Sequence, residues 1–228
     1  IMVLSLAACG SKSDDTQDNN DDAQQTAGQP IEGGTFVYAI EEPITSLNWY
    51  NNNSTDLGKQ VFSNLYDPMW KNNADGSLDY RLAKNVDISE DGTTYTLTLR
   101  DDIYWSDGEK ITTDDIVFTL DTLVEPEVAP STASGYKVDG EFCSYEKVSG
   151  TEIVFTIGRA SNLFKKALGA LYVLPAHCFE GVAATEVLTC EQNDTIATSG
   201  AFVVDSFNVG EKLVCVKNDK YYRTPAHI

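Results

Sequence analysis

The chain has 228 residues and a mass of 25.0 kDa, enough for one domain of generous size or two small ones, and its 42% hydrophobic and 10% aromatic residues exclude a wholly disordered protein. Thirty-five acidic against 16 basic side chains give a net charge of −19, which argues against a duplex-coating nucleic-acid binder because phosphates are repelled. No apolar run approaches the roughly 18–20 residues of a spanning helix, and two histidines with five cysteines lacking C-x-x-C spacing carry no zinc signature.

Residues 1–9 read as the end of a secretory signal: an apolar stretch, then small residues. No basic segment precedes them, so Ile1 is not expected to be the native start. Leu6-Ala7-Ala8-Cys9 resembles the bacterial lipobox, in which Cys9 would take a diacylglyceryl thioether and become the new N-terminus. An ordinary signal peptide with an incidental cysteine is the alternative. Residues 10–30 are acidic and Asn/Gln-rich, with five aspartates against one lysine and no aromatic over 11–30. Such a segment buries too little to offset its ordering entropy and repels itself, which suits a tether.

From residue 31 the pattern is a strand-rich α/β mixture. Alternation over 34–40 predicts a strand, and the apolar spacing of Leu57, Val61, Phe62 and Leu65 predicts a helix over 56–66. A meander follows: a strand near 80–86, an Asp-Gly turn at Asp91-Gly92, a strictly alternating strand over 94–100, and a second turn at Asp107-Gly108. Thr112 or Thr113 can cap a helix whose apolar stripe is Ile116, Val117, Leu120, Leu123 and Val124. Pro126 and Pro130 stop it. Residues 131–141 read as a loop, 152–157 as a strand, and 161–171 as a helix with Leu163, Phe164, Ala167 and Leu168 inward. Residues 201–204 and 212–216 form a hairpin-like pair around Asn208-Val209-Gly210.

Several strings resemble, in order, one family. They are Gly33-Gly34-Thr35-Phe36, Glu42-Pro43 and Leu47-Asn48; Phe-Ser-Asn-Leu-Tyr-Asp at 62–67; Arg81-Leu82-Ala83; and Ile-Ser-Glu-Asp-Gly-Thr-Thr-Tyr-Thr-Leu-Thr-Leu-Arg at 88–100. Trp-Ser-Asp-Gly at 105–108, the segment 113–120, Leu-Pro-Ala-His at 174–177, Thr-Ser-Gly-Ala-Phe at 198–202 and Asn-Asp-Lys-Tyr-Tyr at 218–222 continue the match. The chain resembles the N-terminal portion of the solute-binding proteins of peptide-type ABC importers, extracellular solute-binding protein family 5. The departures are Asn48-Trp49 for the usual Asn-Pro, and Ala201-Phe202 for Pro-Tyr.

The resemblance implies a periplasmic-binding-protein-like α/β fold, class II and peptide type. This chain would be its first lobe over 31–228, with a mixed sheet and a small strand-rich subdomain at about 68–190. The second lobe, absent from this chain, would follow Ile228. The implied function is a substrate-binding lipoprotein that captures extracytoplasmic oligopeptides or dipeptides and delivers them to an ABC permease. It would be a monomer held at the outer face of a bacterial membrane by its lipid alone, with no enzymatic activity, cofactor, metal or nucleic-acid partner. The alternatives are a non-transport surface module, or a non-peptide ligand such as a nickel chelate or sugar.

In the family the loop at 49–55 lines the cleft, which points to Asn53, Ser54 and Thr55, then Trp49 and Tyr50, as ligand contacts. Tyr136 lies in a Gly/Ser loop that resembles a second cleft-facing loop. Trp105 is expected to pack, Asp114-Asp115 to complement a helix dipole, and His177 and His227 not to bind metal. No Gly-x-Ser-x-Gly or His-Glu-x-x-His string supports a hydrolase. Of Cys143, Cys178, Cys190 and Cys215, the pair Cys178–Cys190 encloses a short loop and is the first expected bridge in an exported protein.

Overall fold

In a computed structural model of the chain the described residues are 34–41, 43–52, 55–128 and 131–224. Cys9 and its lipobox, the 10–30 tether, and Asn53 and Ser54 lie outside them. The chain divides into two units, and every element below belongs to the unit Phe36–Ala226.

A four-residue helix α1 (Trp49–Asn52) precedes α2 (Asp56–Leu65). Thr55, in extended conformation, opens α2 by accepting the Gly58 N–H on its hydroxyl at 3.0 Å, which satisfies one of the unpaired donors of the first turn. The apolar stripe of α2 buries Phe62 and Leu65. Two short strands follow, β1 (Trp70–Asn72) and β2 (Leu78–Tyr80), paired as an antiparallel hairpin. Next come β3 (Ala83–Ile88) and β4 (Thr94–Leu99), joined by the Ser89–Gly92 turn. Gly92 there takes φ of +70°, a value that side-chain-bearing residues avoid.

Helix α3 (Thr113–Val124) starts in a capping box: Asp114 N–H donates to the Thr112 hydroxyl, and Thr112 N–H donates to Asp115 Oδ2 at 2.8 Å. A 3₁₀ segment (Ser131–Tyr136) leads into the two-residue strands β5 (Lys137–Val138) and β6 (Glu141–Phe142), then β7 (Ser144–Lys147) and β8 (Glu152–Thr156). Helix α4 (Asn162–Gly169) is capped by Ser161. The hairpin β9 (Phe202–Asn208) and β10 (Lys212–Lys217) closes the order, with a bulge at Val214/Cys215.

The largest sheet has the order β3-β4-β8-β7. Its alternation places Tyr95, Leu97, Leu99, Ile153 and Phe155 on one buried face. Phe164 of α4 meets that face edge-on, 5.1 Å from the Tyr95 ring centre and 6.2 Å from that of Phe155. Trp105 is fully buried, as expected of a packing turn. Each buried aromatic side chain of this size removes 150–250 Å² from water, so this cluster dominates the stabilisation of the sheet.

Three sets of contacts tie distant chain segments to the core. Ser199 and Gly200 both donate their N–H groups to Leu65 O at the end of α2, at 3.0 and 2.8 Å. A Cβ at position 200 would lie 2.4 Å from Asn64 O, so only glycine allows this approach. Buried Asp67 accepts from the hydroxyls of Tyr221 and Tyr222, the latter at 2.9 Å. Asp79 adds the third, bonding Arg223 at 3.0 Å and Arg81 at 2.7 Å.

The structure departs from the sequence expectations in identifiable places. Residues 34–40 pair with no strand among the described residues, and Phe36 and Val37 are 74% and 83% exposed. Alternation identified their β-compatible side chains but not a partner edge. Every pairing among the described residues is antiparallel rather than mixed, because tight turns join β3 to β4 and β7 to β8. The expected loop at 131–141 is a 3₁₀ turn plus a minimal hairpin. Leu163 points outward at 60% exposure, because α4 buries Phe164 and Leu168 instead. No described helix is long and apolar enough to cross a membrane.

Cys143, Cys178, Cys190 and Cys215 are all thiols, so the expected Cys178–Cys190 bridge does not form here. Cys190 Sγ faces the Val187 carbonyl at 3.4 Å, whereas Cys178 Sγ faces His177 Nε2 at 3.5 Å. The two sulfurs have separate neighbourhoods.

Candidate functional site

Helix α1 is positioned by a network of amides. Leu47 N–H donates to Asn193 O at 2.8 Å, and the Asn48 amide donates to Asn193 Oδ1 at the same distance. Asn48 Oδ1 in turn accepts Tyr50 N–H at 2.9 Å, and Asn51 Nδ2 reaches Leu188 O at 2.9 Å. The side-chain hydrogen bonds of Asn48 hold the residues after it in a helical turn and fix this corner.

That corner presents Trp49. Its ring stacks on Tyr172 with centres 3.6 Å apart and planes 21° apart. Tyr50 lies beneath and donates its hydroxyl to Tyr172 O at 2.8 Å, which fixes the segment bearing the stacked ring. A groove of about 590 Å³ opens beside the stack, lined also by Lys59, Gln60 and Ser63 of α2, Lys71 of β1, Thr132 and Ala170. Its rim carries two ammonium groups in a strongly acidic chain. Lys59 is held loosely by Asp56 at 3.4 Å, an exposed pair of small energetic weight. Among the described residues the lining includes no carboxylate, imidazole or thiol. It offers a stacking surface, cations, an amide and hydroxyls, which suits reversible binding.

The six candidate residues fall into four groups. Trp49 lines the groove but is itself buried, 7% exposed and stacked against the Tyr172 ring. Tyr50 and Tyr136 are buried below: Tyr136 donates to Ala167 O at 3.2 Å, and burial, then the neighbouring Tyr136 and Tyr172, raise the Tyr50 hydroxyl well above its ordinary pKa. Thr55 caps α2 with its hydroxyl. Asn53 and Ser54 lie outside the described residues. Sequence reasoning missed Tyr172, Lys59, Gln60, Ser63 and Lys71. The three α2 residues were readable as the face opposite its apolar stripe, but nothing local marks Tyr172. Burial, and then the Asp67 charge, push the Tyr172 hydroxyl up to about 12, so it stays protonated at neutral pH.

Residues 78–228 match the family model described as "Bacterial extracellular solute-binding proteins, family 5 Middle". The chain belongs to this family. Family 5 members include the oligopeptide-binding protein AppA of Bacillus subtilis, 26% identical over 226 residues, which cover 97% of this chain and 40% of that protein. The dipeptide-binding protein of Lactococcus lactis is 27% identical over 157 residues, 67% of this chain and 24% of its own length. Among solved structures, the ABC transporter substrate-binding protein CtaP from Listeria monocytogenes superposes with a TM-score of 0.77 at 25% identity, covering 86% of this chain and 39% of that one. The chain therefore spans less than half the length of these relatives.

Proposed function

We propose that this chain is the N-terminal portion of a substrate-binding protein that captures peptides outside the cytoplasm and delivers them to an ABC permease. The observation that carries the reading is the Trp49–Tyr172 stack opening onto a groove rimmed by Lys59 and Lys71. Family membership supports the extracytoplasmic role, and the similarity to the oligopeptide-binding protein of Bacillus and the dipeptide-binding protein of Lactococcus supports a peptide as ligand. The protein binds without turnover, acts as a monomer and is anchored through lipid on Cys9, a reading supported by the lipobox-like string before the acidic tether.

In this reading the Trp49–Tyr172 stack supplies apolar contact to the peptide, and Asn53, Ser54 and Thr55, which follow Trp49 in the sequence, add polar contacts. Tyr50 and Tyr136 hold the shelf from below. The backbone of an extended peptide is read through main-chain hydrogen bonds, which tolerate varied side chains. The test is titration of the protein, with its reading frame followed to the stop codon, against mixed-sequence peptide pools, using tryptophan fluorescence and calorimetry. Saturable binding weakened at least tenfold by Trp49→Ala is expected. Absence of binding across di- to nonapeptide pools overturns the reading.

A further inference from the structure

Away from the groove, two turns bring three metal-ligating side chains together. Asp107 lies in the Trp105–Gly108 turn, where its Oδ1 accepts the Glu109 N–H at 3.1 Å. His177 and Cys178 lie on a 3₁₀ turn (Ala176–Phe179) almost seventy residues later. That turn is pinned to α3: Ala176 N–H donates to Asp115 Oδ1 at 2.9 Å, and Leu174 N–H donates to the Thr119 hydroxyl at 2.8 Å. The first turn is pinned separately, with Ser106 N–H on Thr198 O at 2.8 Å. Two independently anchored backbones therefore hold the three side chains.

Their donor atoms all lie within 4.8 Å of one another. His177 Nε2 is 2.7 Å from Asp107 Oδ2 and 3.5 Å from Cys178 Sγ. We propose that Asp107, His177 and Cys178 form a binding site for one divalent transition-metal ion of the zinc type. Bond lengths of about 2.3 Å to sulfur and about 2.05 Å to nitrogen put those two atoms about 3.55 Å apart across a tetrahedral ion. The sulfur and nitrogen already have that spacing. The carboxylate oxygen needs about 3.4 Å from the nitrogen on the same geometry. It must therefore swing outward by about 0.7 Å from its present hydrogen bond. Asp107 has the room, since its side chain is 42% exposed.

The mixed nitrogen, sulfur and oxygen set favours zinc, cobalt or nickel over calcium or magnesium, which prefer oxygen alone. The surroundings favour a cation. Two carboxylates add negative charge at these turns: Asp107, 2.7 Å from His177 Nε2, and Asp115, which accepts the Ala176 N–H. Three protein ligands with partly exposed Asp107 and His177 leave a fourth position facing solvent. Sequence spacing gave no hint of this, because His177 acquires Asp107 only through the tertiary fold.

The test uses the metal-stripped 228-residue chain and Co²⁺ or Zn²⁺ alone as the probe. One equivalent of Co²⁺ should give the charge-transfer absorption of a cobalt–thiolate bond and the visible bands of a tetrahedral site, and Zn²⁺ should displace both. Cys178→Ser should abolish the thiolate band, while Asp107→Asn and His177→Ala should weaken binding at least tenfold. Circular dichroism checks that each variant is folded. Zn²⁺ should also protect Cys178, among the four thiols of residues 143–215, from alkylation mapped by mass spectrometry. A thiolate band that persists in Cys178→Ser, no band at one equivalent, or unchanged alkylation of Cys178 overturns the proposal and leaves only an Asp107–His177 hydrogen bond.

Discussion

Replacing Gly200 by alanine tests a close backbone approach at the end of α2. The added methyl would sit 2.4 Å from Asn64 O, 2.5 Å from the Leu65 carbonyl carbon and 2.8 Å from Tyr66 N. All three are backbone atoms at the end of α2, so no side chain can move aside. Relief requires the 198–201 segment to lift away from the helix. That strains or breaks the two N–H bonds to Leu65 O, each worth about 0.5–1.5 kcal/mol. Overpacking adds about 1–3 kcal/mol, for a total of roughly 2–6 kcal/mol. In a unit of this size each kcal/mol shifts Tm by about 2–4 °C, so a fall of roughly 4–24 °C is expected. Gly150→Ala is the control: nothing lies within 4 Å of its built Cβ and its φ is not positive. It should be neutral or stabilising by up to about 1 kcal/mol, because alanine restricts the unfolded chain. Urea unfolding of both variants reads the difference directly. Equal stabilities would refute the steric reasoning.

Asp67→Ala leaves the Tyr221 and Tyr222 hydroxyls without their buried acceptor and should cost about 3–5 kcal/mol by chemical denaturation; a loss under 1 kcal/mol would show that the 218–223 segment docks by other means. Thr112→Ala removes the hydroxyl half of the capping box of α3 and should cost about 1 kcal/mol, with Thr112→Ser restoring most of it. For acid stability, burial alone would raise Asp79, but the Arg223 hydrogen bond and the charges of Arg81 and Arg223 outweigh it and hold the carboxyl below its usual range. A depressed folded pKa gives stability present above the unfolded value of about 3.9 and lost as pH falls through the folded one. The unfolding midpoint should therefore drop below about pH 4, and Asp79→Asn should flatten that drop; parallel curves would exclude the mechanism. Asp115 works in the opposite sense: burial raises it above its usual range, so its contribution improves as pH falls.

What was legible in the sequence was local. Thr112 or Thr113 was readable as the cap before an apolar stripe, and α3 begins there with Thr112 as its cap; the reciprocal Asp115 half of the capping box was not read. Strict alternation over 94–99 became β4, and Asn208-Val209-Gly210 became the turn between β9 and β10. Strands β1, β2 and β7 were missed because they are short and mostly polar outward, so their pairing depends on a neighbour rather than a pattern. Leu163 satisfied a helical period, yet Phe164 took the core because its ring fits between Tyr95 and Phe155. At the groove, Trp49 was visible as an aromatic in a loop, whereas Tyr172 arrives from more than 120 residues away. The cluster of Asp107, His177 and Cys178 was hidden for the same reason.

The segment at Phe36-Val37-Tyr38 has a practical consequence for handling the protein. Its two rings stack on one side at 6.3 Å, as alternate residues of an extended chain do, and the three side chains stand in solvent. An extended, uncapped stretch of aromatic and β-branched residues is a template for another copy to zip against. The charge of −19 works against that, since each molecule repels the next. At 1 M salt the repulsion reaches only about 3 Å, and the sticky stretch is left unopposed. Precipitants of high ionic strength should drive this chain toward fibrous aggregates sooner than polymer precipitants do, and dilute buffers should keep it in solution.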